Sequence, residues 1–160
     1  MNTIIRLCLL LLLCINAHSQ NQSNYIQINL NSTLNFLITS PNNIESDQTI
    51  QNALTIQVMS KASNCSIYAR LNNLTYPSGF TVPSPFLKID WTNDNSNKDY
   101  NLITAPIALN STDQLLFSQK KMPSASNYYS YYYNLILSPP TYALVPGSYS
   151  FNILFTMTQP

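Results

Sequence analysis

Histidine is nearly missing from this chain. Its 160 residues include a single one, His18, and that residue lies in an N-terminal leader. Met1–Arg6 carries one basic side chain, Leu7–Ile15 is an unbroken apolar run of nine, and Ala17-His18-Ser19 puts small residues at cleavage spacing. Such a segment reads as a secretory signal peptide, too short to span a bilayer. Cleavage is expected after Ser19, which divides the chain into a leader, 1–19, and one domain, 20–160. The domain then has no histidine, which excludes Ser-His and Cys-His nucleophilic systems and histidine-ligated zinc. Of Cys8, Cys14 and Cys65 only the last survives cleavage, so an internal disulfide is excluded although the destination is oxidising. Lipid anchoring at Cys14 is the rival reading of the leader, but such signals carry a small residue before the cysteine and here Leu13 is large. Cys65 itself is in phase with Ile67, Ala69 and Leu71, as expected of a small buried hydrophobe.

Charge is also sparse. Six basic and six acidic side chains cancel in the domain, leaving no basic field to attract nucleic acid or anionic lipid. No later run reaches about 18 apolar residues, so no membrane span is expected. Paired-carboxylate glycosidase chemistry needs only two acids, yet nothing singles out a pair among the six. Asp90, Asp94 and Asp99 alternate with asparagines, but no glycine follows and the spacing fits no EF-hand, so a solvated turn is expected and no metal. These absences predict a protein that is not an enzyme and has no cofactor. Glycine occurs only at Gly79 and Gly147, so turns must rely on asparagine and proline. Asparagine, with 19 of the 141 residues of the domain, supplies much of the neutral polar surface.

What the chain does contain is alternation. Ile26, Ile28 and Leu30 in one strand, Leu54, Ile56 and Val58 in another, then Cys65–Leu71, Phe86–Thr92, Tyr100–Thr104, Ile107–Leu109, Leu115–Ser118 and Tyr128–Leu137 read as short strands. Leu34–Thr39 reads as a further strand or as the continuation of the first past a bulge. Lys61–Asn64 has the length of a hairpin loop. No segment keeps a 3.6 period. The series predicts an all-β protein, an antiparallel immunoglobulin-like β-sandwich of about 7–9 strands.

Two stretches stand out. In the tyrosine cluster, a strand puts Tyr129, Tyr131 and Tyr133 on one face and Tyr128 and Tyr132 on the other, with Ser130 and Asn134. One set belongs to a core; the other forms an aromatic row able to stack on sugars. Tyr129, Tyr131 and Tyr133 are the candidate ligand-stacking set, and a carbohydrate-binding module acting on surface glycans is the alternative function. β-Propensity and sheet packing are the plain explanation of the same tyrosines.

The second stretch is the last. From Gly147 to Pro160, Tyr149, Phe151, Ile153, Phe155 and Met157 alternate with mostly polar residues, an extended run of roughly 33 Å. Gly147 is fourteenth from the C-terminus. This stretch resembles the C-terminal motif of chaperone–usher fimbrial subunits, in which a glycine at that place precedes alternating hydrophobics. It differs in having Gln159 where the family has a penultimate tyrosine, and in lacking the disulfide many members carry. The resemblance implies an incomplete sandwich completed by a strand from another subunit, with backbone pairing and alternate side chains in pockets. Gln20–Asn31, through Ile26, Ile28 and Leu30, is then the candidate donor, and its removal is expected to stop assembly while leaving the subunit fold. The function expected is that of a secreted structural or adhesive protein, periplasmic, cell-surface or extracellular, whose partners are other protein subunits or surface glycans.

Overall fold

The computed structural model describes residues 23–79, 82, 84–97, 99–122, 128–139 and 147–160. The leader, with Cys8, Cys14 and His18, lies outside them, as do residues 20–22 of the candidate donor. The described residues form nine strands, in the order β1 (Asn24–Leu30), β2 (Gln48–Ser60), β3 (Cys65–Thr75), β4 (Leu87–Asp94), β5 (Asp99–Tyr100), β6 (Ile107–Leu109), β7 (Gln114–Gln119), β8 (Tyr129–Leu137) and β9 (Ser150–Thr158). The helix among the described residues is one turn, Asn42–Glu45. No described helix is long and apolar enough to cross a membrane.

The strands make two antiparallel sheets, ordered β1-β2-β8-β4-β6 and β5-β7-β3-β9. Alternation decides which residues lie between them. On β8, Tyr131, Tyr133, Leu135 and Leu137 enter the core with Leu54, Ile56, Val58, Ile67, Leu87, Ile89 and Phe117. Phe117 of the second sheet stacks on Tyr131 of the first, with ring centroids 3.7 Å apart. The all-β, two-sheet expectation is therefore met.

The immunoglobulin-like order is not. That fold keeps its last two strands together in one sheet, whereas β8 and β9 lie in different sheets. From β2 onward every connection changes sheet, and β2 pairs with β8, β3 with β7 and β4 with β6, nested about β5. This is a jelly-roll-like winding. The same order corrects the hairpin expectation for residues 61–64. Because β2 and β3 belong to opposite sheets, this loop is an arch over the core edge. Asn24 secures it: its Oδ1 accepts from the Ala62 N–H at 2.8 Å, and its Nδ2 donates to the Ser63 carbonyl at 3.1 Å.

Leu34–Thr39 is not a strand either. Leu34, Phe36 and Ile38 alternate inward as the period predicts, and Leu34 and Phe36 pack on the core. The segment nevertheless has no strand ladder. It crosses the open side of the sandwich as an extended strap, with Phe36 against Phe151 at 6.4 Å between centroids.

Candidate functional site

The two edge strands on one side of the sandwich are β1 and β9. All seven residues of β1 pair with β2, from Asn24↔Ser60 to Leu30↔Leu54. The whole of β9 pairs with β3, from Thr158↔Ser66 to Ser150↔Thr75. Neither is bonded to the other, so each has one row of backbone groups with no strand partner among the described residues. Between them lies a cleft of about 460 Å³ lined chiefly by Ile28, Leu30, Leu54, Ile153 and Phe155. Its far end is closed by the strap, where Leu34, Phe36 and Tyr149 surround a smaller cavity of about 80 Å³.

The C-terminal residues singled out by the alternation do converge here. Phe151, Ile153, Phe155 and Met157 face inward, half-buried against the core, and Tyr149 joins them just before the strand. Their half-burial follows from position: an edge strand beside an open seam covers its inner face from one side only. Leu154, which interrupts the polar set, is 40% exposed on the outer face. Gly147 sits at φ +153°, and a Cβ there would come within 2.5 Å of Pro77 Cγ. Close backbone approach to that proline thus requires a glycine at this place.

The N-terminal residues divide. Ile26 and Ile28 point inward onto the core. Leu30 does not become buried as expected; it is 64% exposed, at the mouth of the cleft. The segment proposed as a free donor is, over Asn24–Leu30, an integral strand of its own chain. Sequence reading missed Leu54 and Leu34 as walls of the same cleft, since alternation marks an inward face without saying whether a facing strand covers it.

The tyrosine assignment is overturned. Tyr131 and Tyr133 are fully buried, and Tyr129 is half-buried against the core, so this set packs between the sheets and offers no stacking surface. Burial pushes the phenol of Tyr131, and that of Tyr133, above the ordinary tyrosine range. The outward set is Tyr132, half-buried, and Tyr128, at 44% exposure. Cys65 is buried and unbridged, and burial pushes its thiol up to about 11. Asp94 closes a turn by accepting from the Ser96 N–H at 2.8 Å. No group of three His, Cys, Asp or Glu side chains converges on a metal-sized site among the described residues. No protein-family model matches the chain, and no curated protein matches it significantly.

Proposed function

We propose that the protein is a secreted, non-enzymatic building block of the cell surface, structural or adhesive, which joins other subunits by strand pairing in the manner of a fimbrial-type subunit. The observation that supports this reading is the open side of the sandwich, where two edges with no strand partner among the described residues flank an apolar cleft. An edge strand with unsatisfied N–H and C=O groups is a template for another strand. A strand laid along the free edge of β9 gains backbone hydrogen bonds and sends alternate side chains onto Ile28, Leu54, Ile153 and Phe155. The neutral surface fits a subunit that packs beside many like neighbours, since no single-sign charge opposes close approach.

The test is the assembly state of the native protein in surface extracts, read on gels with and without boiling. A heat-sensitive ladder is expected. Leu30→Asp places a charge at the mouth of the cleft on a residue already 64% exposed, so it should abolish the ladder and leave the thermal unfolding midpoint unchanged. A monomer under all native conditions, or a ladder that persists in Leu30→Asp, overturns the reading.

A further inference from the structure

The outer face of the five-stranded sheet carries a second concave site, lined by other residues than the open seam. Its origin is a pair of bulges at one level on both sides of β8. Between Ile50↔Leu135 and Leu54↔Tyr133, the three residues Gln51, Asn52 and Ala53 stand opposite Asn134 alone. On the other flank, Trp91 pairs with Tyr133 and Asn93 with Tyr132, which leaves Thr92 as the extra residue. Asn52 takes φ +48° to make its bulge, a conformation that asparagine adopts more readily than most residues. Paired bulges bend the neighbouring strands away from β8 and re-aim their side chains.

The result is a cleft of about 450 Å³ lined by Gln51, Asn52, Thr92, Asn93, Tyr132 and Asn134. That volume falls within the roughly 300–1,000 Å³ of small-molecule sites. Asn134 forms a buried floor and is held on both sides: its Oδ1 accepts from the Asn52 N–H at 2.8 Å, and its Nδ2 donates to Asp90 at 3.4 Å. Asn52 is braced in turn, its Oδ1 accepting from Asn31 Nδ2 at 3.1 Å. Around this fixed base, the side chains of Gln51, Asn93 and Tyr132 make no hydrogen bond to another described residue, and Gln51 and Asn93 are exposed.

We infer that this cleft binds a neutral glycan, with Tyr132 as the stacking platform and the carboxamides of Gln51, Asn52 and Asn93 as the hydroxyl readers. A sugar hydroxyl is both donor and acceptor, and a carboxamide offers both in one plane. The apolar face of a pyranose ring needs a flat apolar partner, which a half-buried tyrosine provides while keeping its own hydroxyl available. Among the described residues the cleft lining contains no cation, and the nearby carboxylate of Asp90 opposes an anionic ligand. Lys88, on the same strand, is engaged with Asp47 at 3.1 Å. The ligand class is therefore a neutral hexopyranoside and not a uronic or sialic acid. This site shares no residue with the β1–β9 seam and does not rest on strand pairing.

Saturation-transfer NMR on the full-length secreted protein, with maltose, cellobiose, lactose and mannobiose as probes, tests the inference together with amide shift mapping. At least one disaccharide should bind with a Kd on the order of millimolar, moving the amide signals of Gln51, Asn93 and Tyr132. Tyr132→Ala should weaken it by about tenfold or more. The exposed double variant Gln51→Ala/Asn93→Ala should weaken it as well with the fold intact, which covers the case in which Tyr132→Ala unfolds. Leu30→Asp should bind as the parent does, so this outcome and that of the assembly test are read separately. No binding by any of the four, binding whose shifts map elsewhere, or tighter binding of a glucuronic-acid disaccharide overturns the inference.

Discussion

Tyr133 shows how a single residue is governed by its surroundings. Its ring is fully buried between the sheets, and its hydroxyl finds no hydrogen-bond partner among the described residues. A buried hydroxyl without a partner costs free energy, whereas the ring around it contributes by filling space. The two parts can be separated by substitution. Tyr133→Phe should hold stability or raise it by up to about 1 kcal/mol, because it removes the unpaired group and keeps the ring. Tyr133→Ala should lose about 3–5 kcal/mol through the cavity it opens. Urea unfolding of the two variants checks both, and a large loss in Tyr133→Phe would show that the hydroxyl has a partner after all. The sequence permitted two assignments of the tyrosines, since a period of two defines faces but not which face is inside. Burial of Tyr131 and Tyr133 was settled by Phe117 and the second sheet lying over that face.

At the scale of elements, β1 is the instructive case. Its alternation predicted a strand, and Asn24–Leu30 is one. What alternation does not carry is the identity of the partner: the same Ile26 and Ile28 suit a strand given to another subunit or one kept at home. Here all seven residues pair with β2, and both isoleucines meet the core. Deletion of residues 20–31 should therefore destabilise the subunit itself, uncovering one edge of β2 and the core side chains that Ile26 and Ile28 cover. The expected result is a thermal midpoint lowered by several degrees or more, or loss of soluble folded protein, measured by circular dichroism. An unchanged midpoint would show that β1 is dispensable to the fold, as a detachable donor requires. The strap at 34–38 has the same lesson in reverse, with strand-like burial in a segment that joins neither sheet. The bulges of β2 and β4 left one sequence signal. Asn52 occupies a position in phase with Ile50, Leu54 and Ile56, where an apolar residue was due.

For the molecule as a whole, the consequence of burying these groups is a one-sided pH dependence. Burial raises the Cys65 thiol from 9.0 to about 11 and moves Tyr131 and Tyr133 upward from 10.0. Each group holds its proton more tightly when folded than when unfolded. Its contribution to stability is therefore complete below the unfolded value and is lost as pH rises through the folded one. The urea midpoint should stay nearly flat between about pH 6 and 8 and fall progressively above about pH 9. A midpoint that holds into strong alkali would mean that these three groups are solvated. Asp94, raised mainly by its own burial, has the same sign in the acid range, so acidification should not destabilise through that residue. Histidine adds nothing to the profile, as 20–160 contains none.

The sequence by itself determined the all-β class, nearly every strand, the burial of Cys65 and the inward set of β9, because these depend on local period and side-chain chemistry. Where it failed, the missing information was always the identity of a neighbour. The sheet order, the arch at 61–64, the buried tyrosine face, the pairing of β1 and the two clefts were decided by the tertiary structure. Each depends on which strands lie side by side, and a period of two is the same whatever lies across from it.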